Sequence, residues 1–321
     1  MRLFVTGVTG FVGHRVSYLA CKDGYQVIGQ SRSQSTQNRI NHFSADINPI
    51  TNWDSAFKEV DCVVHCAARV HQMSGPLDQI ESLYDEVNHL GTINLAKQAA
   101  AQGVKRFVFL SSIKVNGEST VLERPFIVKH SCTPTDPYGV SKWKAEQALK
   151  QVSKDTGMEV VIIRPPLVYG PGVKANFKSL LNWIDKGIPL PLGAINNQRS
   201  MVYLDNLVHL ILECCYNPKA ANETFLVSDD YDISTSVLLR QVAKSMRKSN
   251  RMLPIPEFWL KLGLRLVGKE AVGLRLCSSL QLDISHTKKR LNWTPPISFA
   301  QGVQMTVDAY LEDKNDIGRC K

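Results

Sequence analysis

Residues 2–6 form a short apolar run that breaks directly into Gly7-Val8-Thr9-Gly10-Phe11-Val12-Gly13, and an amphipathic segment follows to Lys22. No other feature narrows the possible folds as far. Glycine allows a sharp turn and lets the backbone approach a ligand closely. A helix that starts at such a turn presents free N–H groups and the positive end of its dipole, which suits a pyrophosphate. The G-x-x-G-x-x-G spacing between a strand and a helix therefore predicts a dinucleotide cradle made by Gly7, Gly10, Phe11, Val12 and Gly13. Three glycines alone are a weak signal, and a tight turn without a ligand is the competing reading.

The alternation continues through the first half. Strand-like runs cover residues 26–29, 62–66, 107–110 and 159–164, with amphipathic segments near 54–57, 83–102 and 138–156. Short apolar strands alternating with helices predict an α/β fold, a Rossmann-type doubly wound parallel sheet. The 83–102 helix has a stop signal in Gly103. After Pro165-Pro166, glycine and proline become frequent. We expect an NAD(P)-binding domain over residues 1–170 and a smaller C-terminal α/β substrate-binding lobe over 171–321. The two should partly interleave, because residues 200–204 and 223–227 also read as strands.

The end of the second strand bears on the cofactor. An acidic residue there would bond the adenosine ribose 2′-hydroxyl. The chain instead has Gly29-Gln30-Ser31-Arg32-Ser33. Ser31 and Arg32 suit a 2′-phosphate through charge-assisted bonds, so NADP(H) is expected slightly ahead of NAD(H). Alternatively, Arg32 is a solvated loop arginine stacking on adenine.

Asp136-Pro137-Tyr138-Gly139-Val140-Ser141-Lys142 opens a helix and sets Tyr138 and Lys142 at i and i+4, on one face. A phenol with an ordinary pKa of about 10 is a poor base at neutral pH, and a nearby ammonium favours its phenolate. Such a pair can move the proton of a sugar hydroxyl while a nicotinamide exchanges hydride. Lys142 can also bond the nicotinamide ribose. The 107–110 strand ends in Ser111-Ser112, and ligands of doubly wound sheets sit beyond the carboxyl ends of the strands. Ser112 should then stand near Tyr138. Taken singly, these features also fit a solvated surface pair and a strand-end cap.

Together with Asp46-Ile47, His65-Cys66-Ala67-Ala68, Asn88, Gly91-Thr92 and Arg164-Pro165, these residues resemble the extended short-chain dehydrogenase/reductase superfamily in its nucleotide-sugar epimerase/dehydratase branch. The resemblance spans nearly the whole chain. It implies that Asp46 and Ile47 hold adenine, and that Cys66, Ala67, Ala68 and Ser111 line the cofactor with Pro165 beside the nicotinamide. It also implies that Ser112, Tyr138 and Lys142 are catalytic. Arg199 matches the arginine that grips the sugar-nucleotide diphosphate, Asn176 and Phe177 match the segment beside the base, and Arg275 is a loosely aligned second phosphate ligand. The family usually forms homodimers through the helices equivalent to 83–102 and 138–156.

Departures from the family patterns matter. The UDP-galactose 4-epimerase pattern has an acidic residue where this chain has Ser31, and Asn where it has Leu167. The dehydratase Asp-Glu pair is replaced by Ile113-Lys114, and elimination of water needs a carboxyl group. Residues 111–118 and 164–172 are most similar to 4-keto reductases that make UDP-N-acetylquinovosamine for surface polysaccharide. The expected reaction is therefore NAD(P)H-dependent reduction of a UDP-4-keto-6-deoxy-HexNAc at C4, in O-antigen precursor synthesis. The alternative is a UDP-glucose or UDP-N-acetylglucosamine 4-epimerase with tightly bound NAD. A non-catalytic dinucleotide sensor is a third reading, disfavoured by the intact Ser112, Tyr138 and Lys142 set.

Composition adds limits. The N-terminal apolar run is too short for a signal peptide, and no stretch of about 18 apolar residues occurs. The eight cysteines form no CxxC pair and read as reduced thiols. A cytoplasmic protein with no metal site is expected. The net charge is +9, and residues 240–290 hold twelve Lys/Arg against three Asp/Glu. No nucleic-acid motif accompanies that charge, so the expected partner is the UDP-sugar itself. Residues 257–276 are apolar, basic and helix-like. Packing on the C-terminal lobe is expected there ahead of peripheral contact with a membrane surface.

Overall fold

The computed structural model describes residues 1–33, 40–70, 76–249, 251–268 and 270–319. Its strands are β1 (Arg2–Thr6), β2 (Gln26–Ser31), β3 (Asn41–Ser44), β4 (Cys62–His65), β5 (Arg106–Leu110), β6 (Glu159–Arg164), β7 (Leu167–Tyr169), β8 (Met201–Tyr203) and β9 (Thr224–Leu226). Seven of them form one sheet in the order β3-β2-β1-β4-β5-β6-β9, and every neighbouring pair is parallel. A second, two-stranded parallel sheet joins β7 to β8. This is the Rossmann-type α/β fold. Its central strands are buried on both faces, and Cys62-Val63-Val64-His65 of β4 is buried throughout.

The first helices are α1 (Phe11–Lys22), α2 (Leu77–Tyr84), α3 (Thr92–Ala101), α4 (Pro137–Thr156), α5 (Ala175–Asp185) and α6 (Leu204–Tyr216). They are followed by α7 (Thr235–Ser245), α8 (Glu257–Leu266), α9 (Glu270–Cys277), α10 (Ser285–Leu291) and α11 (Phe299–Arg319). On one face of the large sheet, α1 and α6 bury Val16, Ala20, Leu207 and Ile211 against Val5, Val64 and Val108. On the other, α3 and α4 bury Leu95, Ala99, Ala145 and Leu149 against Phe4, Val63, Phe107 and Phe109. A third cluster, with Tyr169, Phe177, Leu181, Leu239, Val242 and Val303, lies among α5, α7, α11, β7 and β8. Phe11 packs against both the first cluster and the third. The chain weaves between these bodies, since β9 belongs to the large sheet although β8 does not.

The expected helix over 83–102 is not one regular helix. It is α2, a π-helical turn over Asp85–Gly91, and then α3. Gly91 lies so close to the β3–β4 connection that a Cβ there would fall 2.9 Å from Ile47 Cγ2. The widened turn presents Asn88 inward, as such turns often do at functional sites.

Candidate active site

The glycine turn is built for close approach. Gly7 has φ +70°, and a Cβ on it would lie 3.0 Å from Ala67 N and Cα. A Cβ on Gly13 would lie 2.3 Å from Gly7 O, so any larger residue forces the turn open. The Gly7 amide donates to Gln30 O at 2.8 Å, fixing the turn to the end of β2. No side chain caps α1 at Gly10, so its first-turn N–H groups are available to a ligand. Phe11 and Val12 are half-buried beside it. This cradle fits a dinucleotide pyrophosphate.

At the end of β2, Ser31 is buried. Its Oγ lies 2.8 Å from His42 Nε2 and donates to Ser33 O at 2.5 Å. The hydroxyl is therefore committed locally, while Arg32 is exposed. Gln30, missed in the sequence, is buried; its Oε1 accepts from Gly7 N at 3.1 Å and its Nε2 donates to Ala45 O at 2.6 Å. Asp46 is exposed and its carbonyl accepts from the Thr51 hydroxyl, whereas Ile47 packs into the core.

Beyond β1 and β4, a buried relay ties the turn to α3. Thr6 Oγ1 accepts from Ala67 N at 3.0 Å and lies 2.7 Å from His65 Nδ1. His65 Nε2 lies 2.9 Å from Thr92 Oγ1, whose hydroxyl donates to Asn88 O. These directions leave one arrangement, a neutral imidazole protonated at Nε2. Burial, and then the Lys142 charge, hold His65 well below the ordinary histidine value. Cys66, Ala67 and Ala68 follow, all half-buried.

Lys142 reaches the same place from α4. It is buried, its Nζ donates to Leu110 O at 2.8 Å, and it sits 4.4 Å over the Phe109 ring. Burial lowers its ammonium to about 7, against the opposing pull of Cys66 and Glu146. Burial pushes the neighbouring Cys66 thiol up to about 12. Lys142 therefore stands beside Cys66, whose neighbour Ala67 abuts Gly7. Tyr138 lies in the first turn of α4, where Asp136 caps Gly139 N at 3.2 Å. Its ring meets Tyr84 edge-on at 5.9 Å. Burial, and then Asp136 and Tyr84, raise the phenol above its usual range. Lys142 thus bonds a carbonyl, and the surroundings of Tyr138 favour its neutral phenol.

Ser112 caps the short turn Ile113–Val115, accepting from Lys114 N at 3.3 Å. That turn lies directly against the start of α4, since a Cβ on Gly139 would fall 3.0 Å from Lys114 O. This packing brings Ser112 and Tyr138 to the carboxyl end of β5. Beneath them runs a buried ionic network that sequence reading missed in part. Ser111 donates to Glu146 Oε1 at 2.5 Å, and Arg164 reaches Glu146 at 2.9 and 2.5 Å and Asn116 Oδ1 at 2.9 Å. Pro165 is buried alongside and its carbonyl accepts from Ile113 N at 3.0 Å. The i+4 spacing of Lys142 and Glu146 was the available signal for a carboxylate facing Arg164, but a fully buried acid is an uncommon thing to assume.

The residues expected to meet the sugar nucleotide fall differently. Arg199 is largely buried, which lowers its guanidinium, and Nη1 donates to Ser278 O at 3.0 Å. Its backbone bridges Ile233 on one side and Leu280 on the other. Residues 279–282 also bridge Thr120 and Phe126 of the loop that follows Ser112. A continuous track thus runs from the end of β5 to Arg199. Phe177 is not on it: the ring is 2% exposed and stacks on Tyr169 at 5.6 Å, as a core residue. Asn176 lies in α5 and Arg275 in α9, with side chains outside the described residues.

The likeness to known proteins agrees with this geometry. A UDP-glucose 4-epimerase of Vibrio cholerae is 48% identical over 98% of this chain and 96% of its own length. The N-acetyl-alpha-D-glucosaminyl-diphospho-ditrans,octacis-undecaprenol 4-epimerase of Escherichia coli O157:H7 is 28% identical over 95% of this chain and 94% of its own. A solved short-chain dehydrogenase/reductase superfamily protein of Agrobacterium tumefaciens, with bound NAD, has a TM-score of 0.81 at 20% identity, covering 99% of this chain and 100% of that one. Residues 3–228 match the NAD dependent epimerase/dehydratase family, and the chain belongs to it.

Proposed function

We propose that the chain is a 4-epimerase of a UDP-linked hexose or N-acetylhexosamine that holds NAD. This reading is carried by what converges on the carboxyl end of β5: Lys142 bonds Leu110 O, Ser112 follows the strand, and the first turn of α4, which carries Tyr138, packs on Lys114. The 48% identity to a UDP-glucose 4-epimerase over nearly the full length supports it over our sequence-based preference for a reductase.

In this reading Gly7, Gly10, Phe11, Val12 and Gly13 hold the pyrophosphate. Asp46 and Ile47 border the adenine, Ser31 and Arg32 its ribose, and Cys66, Ala67, Ala68, Ser111 and Pro165 the nicotinamide side. NAD, when bound, supplies a reversible hydride acceptor. Tyr138 takes the C4 hydroxyl proton and later returns it, Ser112 bonds the same oxygen, and Lys142 supplies the positive charge that makes the phenolate accessible. Arg199, with Arg275 as a second phosphate ligand, grips the diphosphate from the C-terminal lobe over 171–321, and Asn176 borders the base. NAD is favoured over NADP because the Ser31 hydroxyl is engaged by His42 and Ser33 and the Agrobacterium tumefaciens structure holds NAD. A homodimer through the 83–102 and 138–156 segments fits the exposed Leu90 of the π-helical turn and Trp143 of α4.

The second reading is reduction of a UDP-4-keto-6-deoxy-HexNAc. It is favoured by the missing carboxylate after β2, which in a permanently held NAD would bond the ribose 2′-hydroxyl. Proton NMR of the purified protein with UDP-glucose, or with UDP-N-acetylglucosamine, and no added cofactor separates the two. Interconversion with the C4 epimer is expected. No interconversion, with stoichiometric NAD(P)H oxidation by a 4-keto substrate, would overturn the epimerase. The Escherichia coli relative makes a polyprenyl-diphosphate N-acetylglucosamine a sensible third substrate in the panel.

A further inference from the structure

Helix α8 is seated on the protein by a narrow strip. Only Leu260 is buried, with Leu264 half-buried against the third cluster. Gly273 lets α9 fold back on it, since a Cβ there would lie 3.2 Å from Leu264 Cδ1. The opposite face is open. Phe258 is 67% exposed, Trp259 62% and Leu266 79%, with Leu262 and Val267 also exposed. At 100° per residue, Phe258, Leu262 and Leu266 recur every four residues and Trp259 lies beside them, forming one stripe. Lys261 and Arg265 border that stripe, both exposed. The sequence favoured a helix packed on the lobe. It does pack there, but with the wrong side for its largest apolar groups to be covered.

We infer that α8 docks this protein on an anionic lipid bilayer, inserting Phe258, Trp259, Leu262 and Leu266 at the headgroup boundary while Lys261 and Arg265 meet lipid phosphates. Large exposed apolar stripes on soluble proteins mark interaction surfaces, and aromatic and leucine side chains edged by cations are what an interfacial helix needs. Charge selects the occupant. Residues 257–277 carry four Lys/Arg against two Asp/Glu, with Lys261 sharing Glu257 at 3.2 Å, so a second copy seated on the stripe would bring like charge to like, whereas anionic headgroups complement it. No helix among the described residues is long and apolar enough to cross a membrane, so the contact is peripheral. It also has a consequence for the cleft. Eight-residue α9 spans about 12 Å and leads to Ser278, whose carbonyl holds Arg199. The diphosphate end of the cleft therefore opens about one short helix from the lipid.

The test is co-sedimentation with vesicles of phosphatidylcholine, with and without phosphatidylglycerol, in the absence of any sugar substrate, so that its result is independent of the reaction catalysed. Binding to the anionic vesicles is expected, at least about tenfold above neutral ones and weakened by salt. The triple variant Phe258→Ser/Trp259→Ser/Leu266→Ser should lose at least about tenfold in partitioning, and Lys261→Gln or Arg265→Gln about fivefold each. For the wild type, amide exchange over residues 257–268 should slow on anionic vesicles, a readout that needs no variant. Failure to bind anionic vesicles, equal binding by the triple variant, or unchanged exchange at 257–268 overturns the inference. So does a lipid-free dimer that the triple variant converts to monomer, because the stripe would then be a protein interface.

Discussion

The two ends of the proposed cleft are made in different ways. At the carboxyl end of β5, each functional group stands where a regular element stops or starts: Ser112 just past a strand, Tyr138 and Lys142 in the opening turns of α4, and Cys66 just past β4. The buried Glu146–Arg164 pair fixes them from below. Arg199 is set differently. Its backbone exchanges two hydrogen bonds with Ile233 and bridges Leu280, and its side chain donates to the carbonyl of Ser278, partners contributed by separate stretches of chain. In the proposed reading the chemistry rests on the sheet, and the grip on the substrate rests on loops. Loops tolerate change, so substrate choice can vary while the reacting groups stay in place.

This contrast can be broken by substitution. Tyr138→Phe keeps the ring against Tyr84 and removes the hydroxyl; turnover should fall about a thousandfold with little change in melting temperature. A smaller loss, or an equal loss of stability, would remove the phenol from the chemistry. Glu146→Ala should damage the frame itself. Leaving Arg164 buried without its carboxylate costs about 3–5 kcal/mol, measurable by urea denaturation, and turnover should fall too because Ser111 loses its partner. If Glu146→Ala unfolds at the wild-type urea midpoint, the sheet end is not held as described.

Arg199→Ala should act on the other end, raising KM for the sugar nucleotide by about 10–100-fold, the range of a lost charge-assisted bond, while turnover at saturation stays within about threefold. An equal fall in kcat would mean that the two ends are not separable. The smallest effect concerns Lys142. Because burial lowers its ammonium to about 7, the unfolded chain binds more protons than the folded one between about pH 7 and about pH 10, so this group's contribution to stability rises with pH across that window. The melting temperature of the wild type relative to Lys142→Met should therefore climb by a few degrees from about pH 6.5 to about pH 9.5. A flat difference would mean that the ammonium is better solvated than the structure indicates.

How far the molecule can be read from its sequence follows the same line. The sheet end was legible because strand ends, glycine turns and an i, i+4 pair are local patterns. The π-helical turn at Asp85–Gly91 was not, and Gly91 packs there against Ile47, a contact between residues far apart in the chain. Helix α6 escaped notice because nine of its thirteen residues are buried, so only a narrow stripe of Asp205, His209 and Glu213 marks its period. The short edge strand β3, Asn41-His42-Phe43-Ser44, carries no apolar alternation and is recognisable only by its pairing with β2. Phe177 was placed beside the base by the family resemblance, whereas its ring is buried and stacks on Tyr169 in the core. The Glu146–Arg164 pair links residues that the sequence had placed on different elements for different reasons, and only their packing joins them.

The most direct test of the central claim uses a UDP-sugar with deuterium in place of hydrogen at C4. If Ser112, Tyr138 and Lys142 work around one C4 centre and a dinucleotide that stays in its cradle, the epimer should form without added cofactor and carry its deuterium at C4. Loss of that label to solvent or to a free nicotinamide pool would contradict the account.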